Sequence, residues 1–457
     1  MTSTASSAVP GTGPSSDLPT GVRRAAAAVA AETVRSRVLL DAAREAEARH
    51  RDLNAIAWVD WSGAEQAADA LDARVRAGAP LGPLHGVPVT IKDLYNVEGM
   101  PSAAGTRAVL PDFGGESVAV TRLRAAGALV FAKTNMHEIA LGATGENVWT
   151  GDVKNPFDPA RQAGGSSSGA AVATAVGIGF AGLGSDTGGS VRIPAAFCGL
   201  VGYKPSFGAI PLAGALHLSW TCDHAGPLTR SVDDAALLYE VMSGRSAAHG
   251  TVARRPRLAV PARWLKGRLA PAVRADFEAL LADLRGVAEL VEVDVPALHE
   301  ALAHYTSIVR AEAAWIHRET LAAGGEGFSE SVLAPMRDGE CQHAQVYLSA
   351  MRFRDRLVTE LDRTLQGVDA MVLPTTAVLP PLRGQTEVEV EGGRMSTREA
   401  VLGQTLAFSF AGLPTLSLPT RPIDGLPGSL QVVGPRDRDA TVLALGRWLE
   451  ARLGVSS

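Results

Sequence analysis

Hydrophobic and polar residues follow two different periods along this chain. Residues 23–50 and 64–78 are rich in alanine and carry their charges on one side, which predicts two helices, the second ending at Gly78. In residues 87–92 apolar side chains alternate with other residues, as in a strand. Residues 117–135 predict a helix followed by a buried strand. This alternation of helices and strands indicates an α/β layered fold.

The C-terminal half follows a different pattern. It is mainly helical from about residue 270 to 366, and residues 369–376 and 413–420 return to strand-like runs. No repeat and no linker after residue 21 divides the chain, so we expect one domain over residues 21–457. A hydrophobic content of 46% over 457 residues is ample for a large core.

The first 20 residues contain few apolar side chains. They lack the basic start and the apolar middle of a signal peptide, so residues 1–20 are expected to form a disordered tail. The longest apolar run, near residues 170–184, is interrupted by glycines and is shorter than the ~18–20 residues of a membrane span. We therefore expect a cytoplasmic protein with no membrane partner.

Net charge bears on the expected partners, and cysteine content bears on the presence of disulfide bonds. The net charge is −5, the sequence pI is near 6.1, and no basic block is present, so nucleic acid is not an expected partner. Cys198, Cys222 and Cys341 lie far apart without a CxxC pair, so we expect buried thiols and no disulfide framework.

Two common classes of site motif are missing from the sequence. His137 and Glu138 begin the segment HEIAL, but no second histidine follows at the helical spacing of a zinc protease. No glycine-rich loop is followed by GK[ST], which excludes a P-loop. We therefore expect neither a metal nor a cofactor.

One nucleophile motif is present in an unsuitable context. Residues 165–169, GSSSG, match G-x-S-x-G with Ser167 as the nucleophile. That motif requires a strand, a sharp turn and a helix, whereas residues 155–164 form a polar segment with two prolines. The context argues against a nucleophile elbow at Ser167.

Two Gly-Gly-Ser segments fit acyl-transfer chemistry better. They are GGSSSG at 164–169 and DTGGS at 186–190, and Ser166 and Ser190 each follow a glycine pair. Glycines beside a serine let a substrate approach the backbone and let N–H groups turn inward. The N–H groups of four consecutive residues would then form an oxyanion hole: Thr187, Gly188, Gly189 and Ser190.

A serine nucleophile needs a base, and Lys92 is the candidate. It lies in an otherwise apolar strand, where burial would lower its pKa and let the neutral amine accept a proton. Ser166 would carry the proton between Ser190 and Lys92. Two ordinary alternatives remain open on this pattern alone: Gly-Gly-Ser is usually a surface loop, and a lysine near a strand end usually reaches water.

The same segments resemble those of the amidase signature family, the Ser–cisSer–Lys hydrolases. GVPVTIKD resembles the lysine segment of the family, AGGSSSGAAVATAVG its first serine segment, and GLGSDTGGSVRIPAAFCGLVGYKPS its nucleophile segment. The interval of 24 residues from Ser166 to Ser190 is the family spacing. TCDHAGPLTRSVDDAALL, VDAMVLPTT and AGLPTLSLPT resemble later landmarks, so the likeness covers about residues 21–450, most firmly 85–240.

The resemblance implies a fold and a set of roles. The fold would be an α/β/α sandwich around a mixed β-sheet, with a largely helical variable region at about residues 252–366. Lys92 would be the base and acid, Ser166 the bridging serine on a cis peptide, and Ser190 the nucleophile, with the oxyanion hole at residues 187–190. NMHEIALG resembles the segment that flanks the substrate carbonyl, which implies three substrate-binding residues: Ala140, Leu141 and Gly142.

Three further residues have expected structural roles. The family commonly reads GGSSGG, and Ser168 stands where a glycine is usual; its side chain would cap the following helix. Asp186 and Arg192 are expected to hold the nucleophile loop as a buried ion pair.

Three functions are compatible with these features. The first is a stand-alone amidase that acts on a small-molecule amide or carbamate as a monomer or homodimer; anilides and urethanes are within the range of the family. The second is the glutaminase subunit of a tRNA-dependent amidotransferase, and the third is a non-catalytic scaffold, against which the intact triad argues. Residues 217–220, 305–317 and 347–353 are aromatic and apolar, and they favour aryl or hydrophobic amides if they reach the pocket.

Overall fold

A computed structural model describes residues 18–247, 252 and 255–453 of the chain. Most of the expected disordered tail, residues 1–17, lies outside the described residues. Within the described residues, no helix is long and apolar enough to cross a membrane.

A mixed sheet of eleven strands runs through the structure, in the order β1-β3-β2-β4-β6-β5-β12-β13-β9-β7-β8. β2 pairs in parallel with β3 and β4, β7 pairs in parallel with β8 and β9, and the other pairs are antiparallel. β10 and β11 form a separate hairpin. The strands are β1 (Ile56–Val59), β2 (Pro88–Lys92), β3 (Leu129–Thr134), β4 (Ala181–Asp186), β5 (Val201–Lys204), β6 (His224–Thr229), β7 (Arg257–Val260), β8 (Glu289–Glu292), β9 (Ala370–Pro374), β10 (Glu387–Val390), β11 (Gly393–Ser396), β12 (Thr415–Ile423) and β13 (Leu426–Val433).

Sixteen α-helices surround the sheet among the described residues. They are α1 (Val22–Ala30), α2 (Ser36–Arg49), α3 (Trp61–Arg76), α4 (Val118–Ala125), α5 (Ser168–Ala175), α6 (Arg192–Phe197), α7 (Val232–Ser243), α8 (Ala262–Leu265), α9 (Pro271–Arg285), α10 (Ala301–Ile316), α11 (Arg318–Ala322), α12 (Glu330–Glu340), α13 (Ala344–Leu365), α14 (Thr397–Leu402), α15 (Leu406–Phe410) and α16 (Asp439–Leu453).

Two hydrophobic cores lie against the sheet. Along β3, Leu129 and Phe131 pack in one core with residues of α2, α3 and α5, whereas Val130 packs in the other with residues of α1, α4 and α7. Successive side chains of a strand point to opposite faces, so the two cores mark two helical layers. The predicted α/β/α sandwich around a mixed sheet is confirmed.

Three details differ from the expectations. Residues 23–50 form two helices, because Glu32 takes a left-handed conformation (φ 56°) and the carboxylate of Asp72 accepts the first N–H groups of α2. Strand β2 forms where it was predicted. All five of its residues are buried, however, because both faces of the sheet are covered. Cys198 and Cys222 are buried as expected, whereas Cys341 at the end of α12 is exposed.

Candidate active site

The last residue of β2 places a lysine among three serine hydroxyls. Lys92 Nζ lies 2.7 Å from Ser166 Oγ, 3.0 Å from Ser167 Oγ and 2.8 Å from Ser185 Oγ. The lysine is completely buried, so it does not reach water. The Gly165–Ser166 peptide bond is cis. The structure thus brings together two of the predicted triad residues.

Ser167 has no hydrogen-bonding capacity left for chemistry. Its hydroxyl donates to the carbonyl of Ser185 at 3.1 Å and accepts from Lys92 and from the N–H of Ser185 at 3.2 Å. It is fully buried at the start of α5, and no strand precedes it in residues 155–164. Both observations argue against the nucleophile elbow.

The hydroxyl of Ser166 can exchange a proton with Lys92. A neutral amine has two N–H donors and one lone pair. Because Ser167 accepts from Lys92, one of the two remaining hydroxyls, Ser166 or Ser185, accepts the second N–H while the other donates to the lone pair. Three N–H donors of the protonated amine would satisfy all three oxygens. The site therefore accommodates both protonation states of Lys92 without moving a heavy atom.

Burial controls the charge of Lys92. Desolvation lowers the pKa of Lys92 to about 7, although the carboxylates of Asp186 and Asp223 oppose the shift. An ordinary lysine is almost fully protonated at neutral pH. A pKa near 7 instead places a large neutral fraction in the physiological range, which is what a general base requires.

The loop after β4 carries the predicted nucleophile and the four N–H groups predicted to form the oxyanion hole. Ser190 is buried but keeps 5% of its surface exposed. Within residues 18–247, 252 and 255–453, the N–H groups of residues 187–190 donate to no protein acceptor. Gly188 and Gly189 are closely covered, by the Tyr305 hydroxyl and the Thr405 side chain respectively. A row of N–H donors beside a serine has the form of an oxyanion hole.

A buried ion pair holds this loop, as predicted. Arg192 Nη2 lies 2.9 Å from Asp186 Oδ1, and both side chains are completely buried. Burial alone would raise the pKa of Asp186, but the guanidinium of Arg192 holds this pKa below its ordinary value. The remaining donors of Arg192 go to Gln431, Ser409 and the Thr405 carbonyl. A paired and fully hydrogen-bonded charge of this kind rigidifies the loop.

A small cavity adjoins Ser185, which is hydrogen-bonded to Lys92, and Thr187 of the loop; Lys92, Ser166 and Ser190 are not among its lining residues. Ala140, Ser185 and Thr187 contribute to its wall, and most of the wall is apolar. Leu141 and Gly142, the other two residues predicted to bind substrate, are not among its lining residues. The cavity is lined by Leu94, Ala140, Ser185, Thr187, Leu212, Ala215, Leu216, His217, Leu218 and Asp223.

The segment that contains Ala140, Leu141 and Gly142 is locked against the serine loops. Ile139 and Ala140 both have positive φ, 41° and 63°, which is uncommon for residues with a side chain. The His137 ring lies directly over Gly142, and the His137 N–H donates to the Ser166 carbonyl at 3.2 Å. Desolvation and the nearby Lys92 lower the pKa of His137 to about 4, so this imidazole is neutral near pH 7.

The predicted capping role of Ser168 is wrong. Ser168 is the first residue of α5, Ser167 is the N-cap, and the Ser168 hydroxyl is buried without a hydrogen-bond partner. The hydroxyl lies beside Gly145, where the backbone leaves no room for another side chain.

Helices of the variable region support the wall of the cavity. Glu312 on α10 accepts from Ser219 Oγ at 2.6 Å and from the N–H of Thr221 at 3.1 Å, and Tyr347 on α13 donates to Glu312 at 2.8 Å. These bonds fix the loop that leads to Asp223. Of the three aromatic segments, the first lines the cavity with His217 and Leu218, and the other two support its wall through Glu312 and Tyr347. Trp315 on α10 is 62% exposed.

Three residues of the site were not assigned to it from the sequence. Ser185 contacts Lys92 and lines the cavity. Asp223 accepts from Thr187 Oγ1 at 2.7 Å, and His217 lies 3.0 Å from the other carboxylate oxygen of Asp223. The signal available for Asp223 was its position in the TCDHAGPLTRS landmark, and His217 carried none. The described part of the chain contains no group of three or more His, Cys, Asp or Glu placed to hold a metal ion.

Comparison with known proteins identifies the family. The model of the Amidase family matches residues 37–443. An amidase of Pseudomonas putida is 35% identical over 405 residues, covering 84% of this chain and 85% of that protein. A glutamyl-tRNA(Gln) amidotransferase subunit of Anaeromyxobacter dehalogenans (strain 2CP-C) is 33% identical over 480 residues, covering 95% and 96%. The crystal structure of an amidase superposes with a TM-score of 0.93 at 50% identity, covering 95% of this chain and 100% of the other. The chain therefore belongs to the amidase signature family and is an amidohydrolase that acts on amide C–N bonds.

Proposed function

We propose that this protein hydrolyses small aryl or hydrophobic amides through an acyl-enzyme on Ser190, with Ser166 and Lys92 as its proton carriers. The observation that supports the triad most directly is the buried Lys92 amine, 2.7 Å from Ser166 Oγ, in the same site as the N–H groups of residues 187–190. A buried lysine with a lowered pKa, placed beside a serine, is an arrangement that activates a hydroxyl nucleophile.

The proposed reaction proceeds through an acyl-enzyme, and Ser166 relays protons between the reacting atoms and Lys92. Ser190 Oγ attacks the amide carbonyl while its proton passes to Ser166, and the proton of Ser166 passes to the neutral Lys92. The oxyanion is stabilised by the N–H groups of residues 187–190. The proton then returns through Ser166 to the amide nitrogen, the C–N bond breaks, and the amine leaves. Water repeats the sequence on the acyl-enzyme and releases the acid.

The cavity supports the substrate class. Its wall contains Leu94, Leu212, Leu216 and Leu218, so an apolar acyl group gains free energy by burial there. The cavity adjoins Thr187, the first residue of the proposed oxyanion hole. We therefore place the acyl group in this cavity and the leaving amine outside it. Anilides, aliphatic amides and carbamates with a small apolar acyl part are within this class.

The glutaminase subunit of an amidotransferase is the second candidate. It is favoured by the relative from Anaeromyxobacter dehalogenans, which matches over nearly the whole of both chains. Free glutamine carries an ammonium and a carboxylate, whereas most of the residues that line the cavity are apolar. Measuring ammonia release from glutamine alongside anilide hydrolysis separates the two candidates.

Covalent labelling tests the nucleophile directly. A fluorophosphonate should add to Ser190 of the wild-type protein, because this serine lies in the proposed oxyanion hole and is not completely buried. Peptide mass spectrometry then locates the adduct. Modification of Ser166 or Ser167 in place of Ser190 would contradict the proposed roles.

The pH dependence of hydrolysis should report Lys92. Because the proposed base acts as a neutral amine, and its pKa is about 7, kcat/KM should rise about tenfold per pH unit well below pH 7 and level off above it. The measurement uses an uncharged anilide between pH 5.5 and 9 at constant ionic strength. A rate independent of pH between 6 and 9 would contradict a base that titrates in this range.

A further inference from the structure

Two titratable side chains, His217 and Asp223, stand in the otherwise largely apolar wall of the cavity. His217 lies in the segment between β5 and β6, flanked by Leu216 and Leu218, and its side chain retains 36% of its exposure. The proposed proton transfers do not use it. Because its imidazole lines the cavity, His217 is in a position to contact a bound substrate.

The two ring nitrogens of His217 have different surroundings. Nδ1 lies 3.0 Å from Asp223 Oδ2, so Nδ1 carries a proton and donates to this carboxylate. Among the described residues, no protein group is hydrogen-bonded to Nε2. The ring is therefore oriented by Asp223 and leaves one nitrogen for a ligand.

Asp223 does not depend on His217 for its hydrogen bonds. Its two oxygens also accept from Thr187 Oγ1 at 2.7 Å and from the N–H groups of Leu218 at 2.9 Å and Ser219 at 3.0 Å. A carboxylate with three other donors remains satisfied without a fourth. The imidazole is thus not required to neutralise an unpaired buried group.

The charges around His217 favour its protonated form. Its hydrogen bond to Asp223 raises the pKa of His217, burial opposes the shift, and the charges of Asp223 and of Glu312 on α10 raise it further. The neighbouring wall residues from other segments, Leu94, Ala140 and Leu212, carry no charge. In the imidazolium both ring nitrogens are donors, and Nε2 then offers a hydrogen bond to the cavity.

We propose that His217 is a specificity-determining residue, which donates from Nε2 to a carbonyl or carboxylate oxygen at the far end of the substrate's acyl group. This inference rests on the proposed function for the placement of the acyl group. It narrows the substrate class to amides whose apolar acyl part carries one hydrogen-bond acceptor. A purely hydrocarbon acyl group would displace water from Nε2 without replacing its hydrogen bond, which is unfavourable.

Three amides of equal size and similar shape test the proposal. The p-nitroanilides of 4-methylpentanoic, 4-oxopentanoic and butanedioic acid have acyl groups with the same number of heavy atoms, ending in a branched hydrocarbon, a ketone and a carboxylate. Binding is measured to Ser190→Ala protein at pH 6 and pH 8, so that the result does not depend on turnover. Release of p-nitroaniline by the wild-type protein is measured in parallel.

We expect the ketone or the carboxylate to bind about 10- to 100-fold more tightly than the hydrocarbon at pH 6, with a smaller ratio at pH 8. Lys92 also titrates in this interval, but its effect is common to the two uncharged amides and cancels in the ratio of the ketone to the hydrocarbon. His217→Phe in the same background should bring the ratio close to one. His217→Gln, which keeps an N–H donor at all pH values, should retain a preference for the ketone that no longer varies with pH.

Matched variants and outcomes separate this inference from the proposed function. His343→Phe, the same change at an exposed position outside the cavity, should leave the ratio unchanged. Equal affinities for the three amides at pH 6, or a preference that survives in His217→Phe, would overturn the role of His217. A clear preference in binding, combined with no release of p-nitroaniline by the wild-type protein, would instead overturn the proposed hydrolysis.

Discussion

Ser190→Ala is expected to lower kcat for an anilide by a factor on the order of 10⁶, the scale of loss when a serine hydrolase loses its nucleophile. In the proposed mechanism Ser190 supplies the atom that forms the acyl-enzyme, so no other hydroxyl replaces it. Ser167 is fully committed to Lys92 and to the backbone of Ser185. The N–H groups of residues 187–190 remain, so substrate binding should change far less than kcat. Steady-state kinetics on the anilide, with KM reported separately, measures both.

Ser168→Ala is the matched control for this experiment. Ser168 is as deeply buried as the other serines, but its hydroxyl has no hydrogen-bond partner. Removing an unsatisfied hydroxyl breaks no bond, so activity should stay within about threefold and the melting temperature should not fall. If Ser190→Ala retained more than about one hundredth of the wild-type rate, while Ser168→Ala behaved as expected, Ser190 would not be the nucleophile.

The chemistry proposed for the site could be predicted from the sequence because its residues lie in short segments. Lys92, Ser166 and the loop at 187–190 each belong to a local motif whose residue types are dictated by proton transfer and by close approach to the backbone. The structure brings Lys92 and Ser166 to hydrogen-bonding distance and holds the loop by the predicted pair of Asp186 and Arg192. The catalytic roles themselves stay predictions until they are measured.

The strand β4 was not predicted, and its composition explains why. Its sequence AGLGSD has few of the β-branched and aromatic residues by which strands are recognised. Helix α5 packs so closely on β4 that a side chain at Gly182 would approach Ala170 to 3.0 Å, and one at Gly184 would approach the Ser167 hydroxyl to 2.9 Å. Glycine is needed at these positions because α5 packs closely on β4, and residue propensities along the sequence do not contain that information.

Contacts between residues that lie far apart in the chain could not be predicted from short motifs either. Glu312 supports the segment that leads to Asp223 across 93 residues of sequence, through its bond with Ser219. A single glutamate on an amphipathic helix normally indicates an exposed face, whereas Glu312 is buried. Its role follows only from the way α10 packs against the segment that leads to Asp223.

Lys92→Met should affect an amide and an ester of the same acyl group differently, and this difference separates two roles of the lysine. Methionine keeps an unbranched buried side chain without an amine, so the hydroxyls lose their proton acceptor while the volume is nearly conserved. In the proposed mechanism an amide needs Lys92 twice, as the base for Ser190 and as the source of the proton for the departing amine. A p-nitrophenyl ester of the same acyl group needs it mainly as a base, because a phenolate leaves without protonation.

General acid or base assistance is typically worth ~10²–10⁴-fold per role. The amide should therefore lose about 10⁴-fold or more in kcat/KM, and the ester about one or two orders of magnitude less than the amide. The comparison is made with wild-type and Lys92→Met protein on the matched amide and ester, after circular dichroism has established that the variant is folded. Equal losses would restrict Lys92 to the role of a base or of a group that positions Ser166. An amide rate unaffected by the substitution would remove Lys92 from the mechanism, because no other amine lies within hydrogen-bonding distance of Ser166 among the described residues.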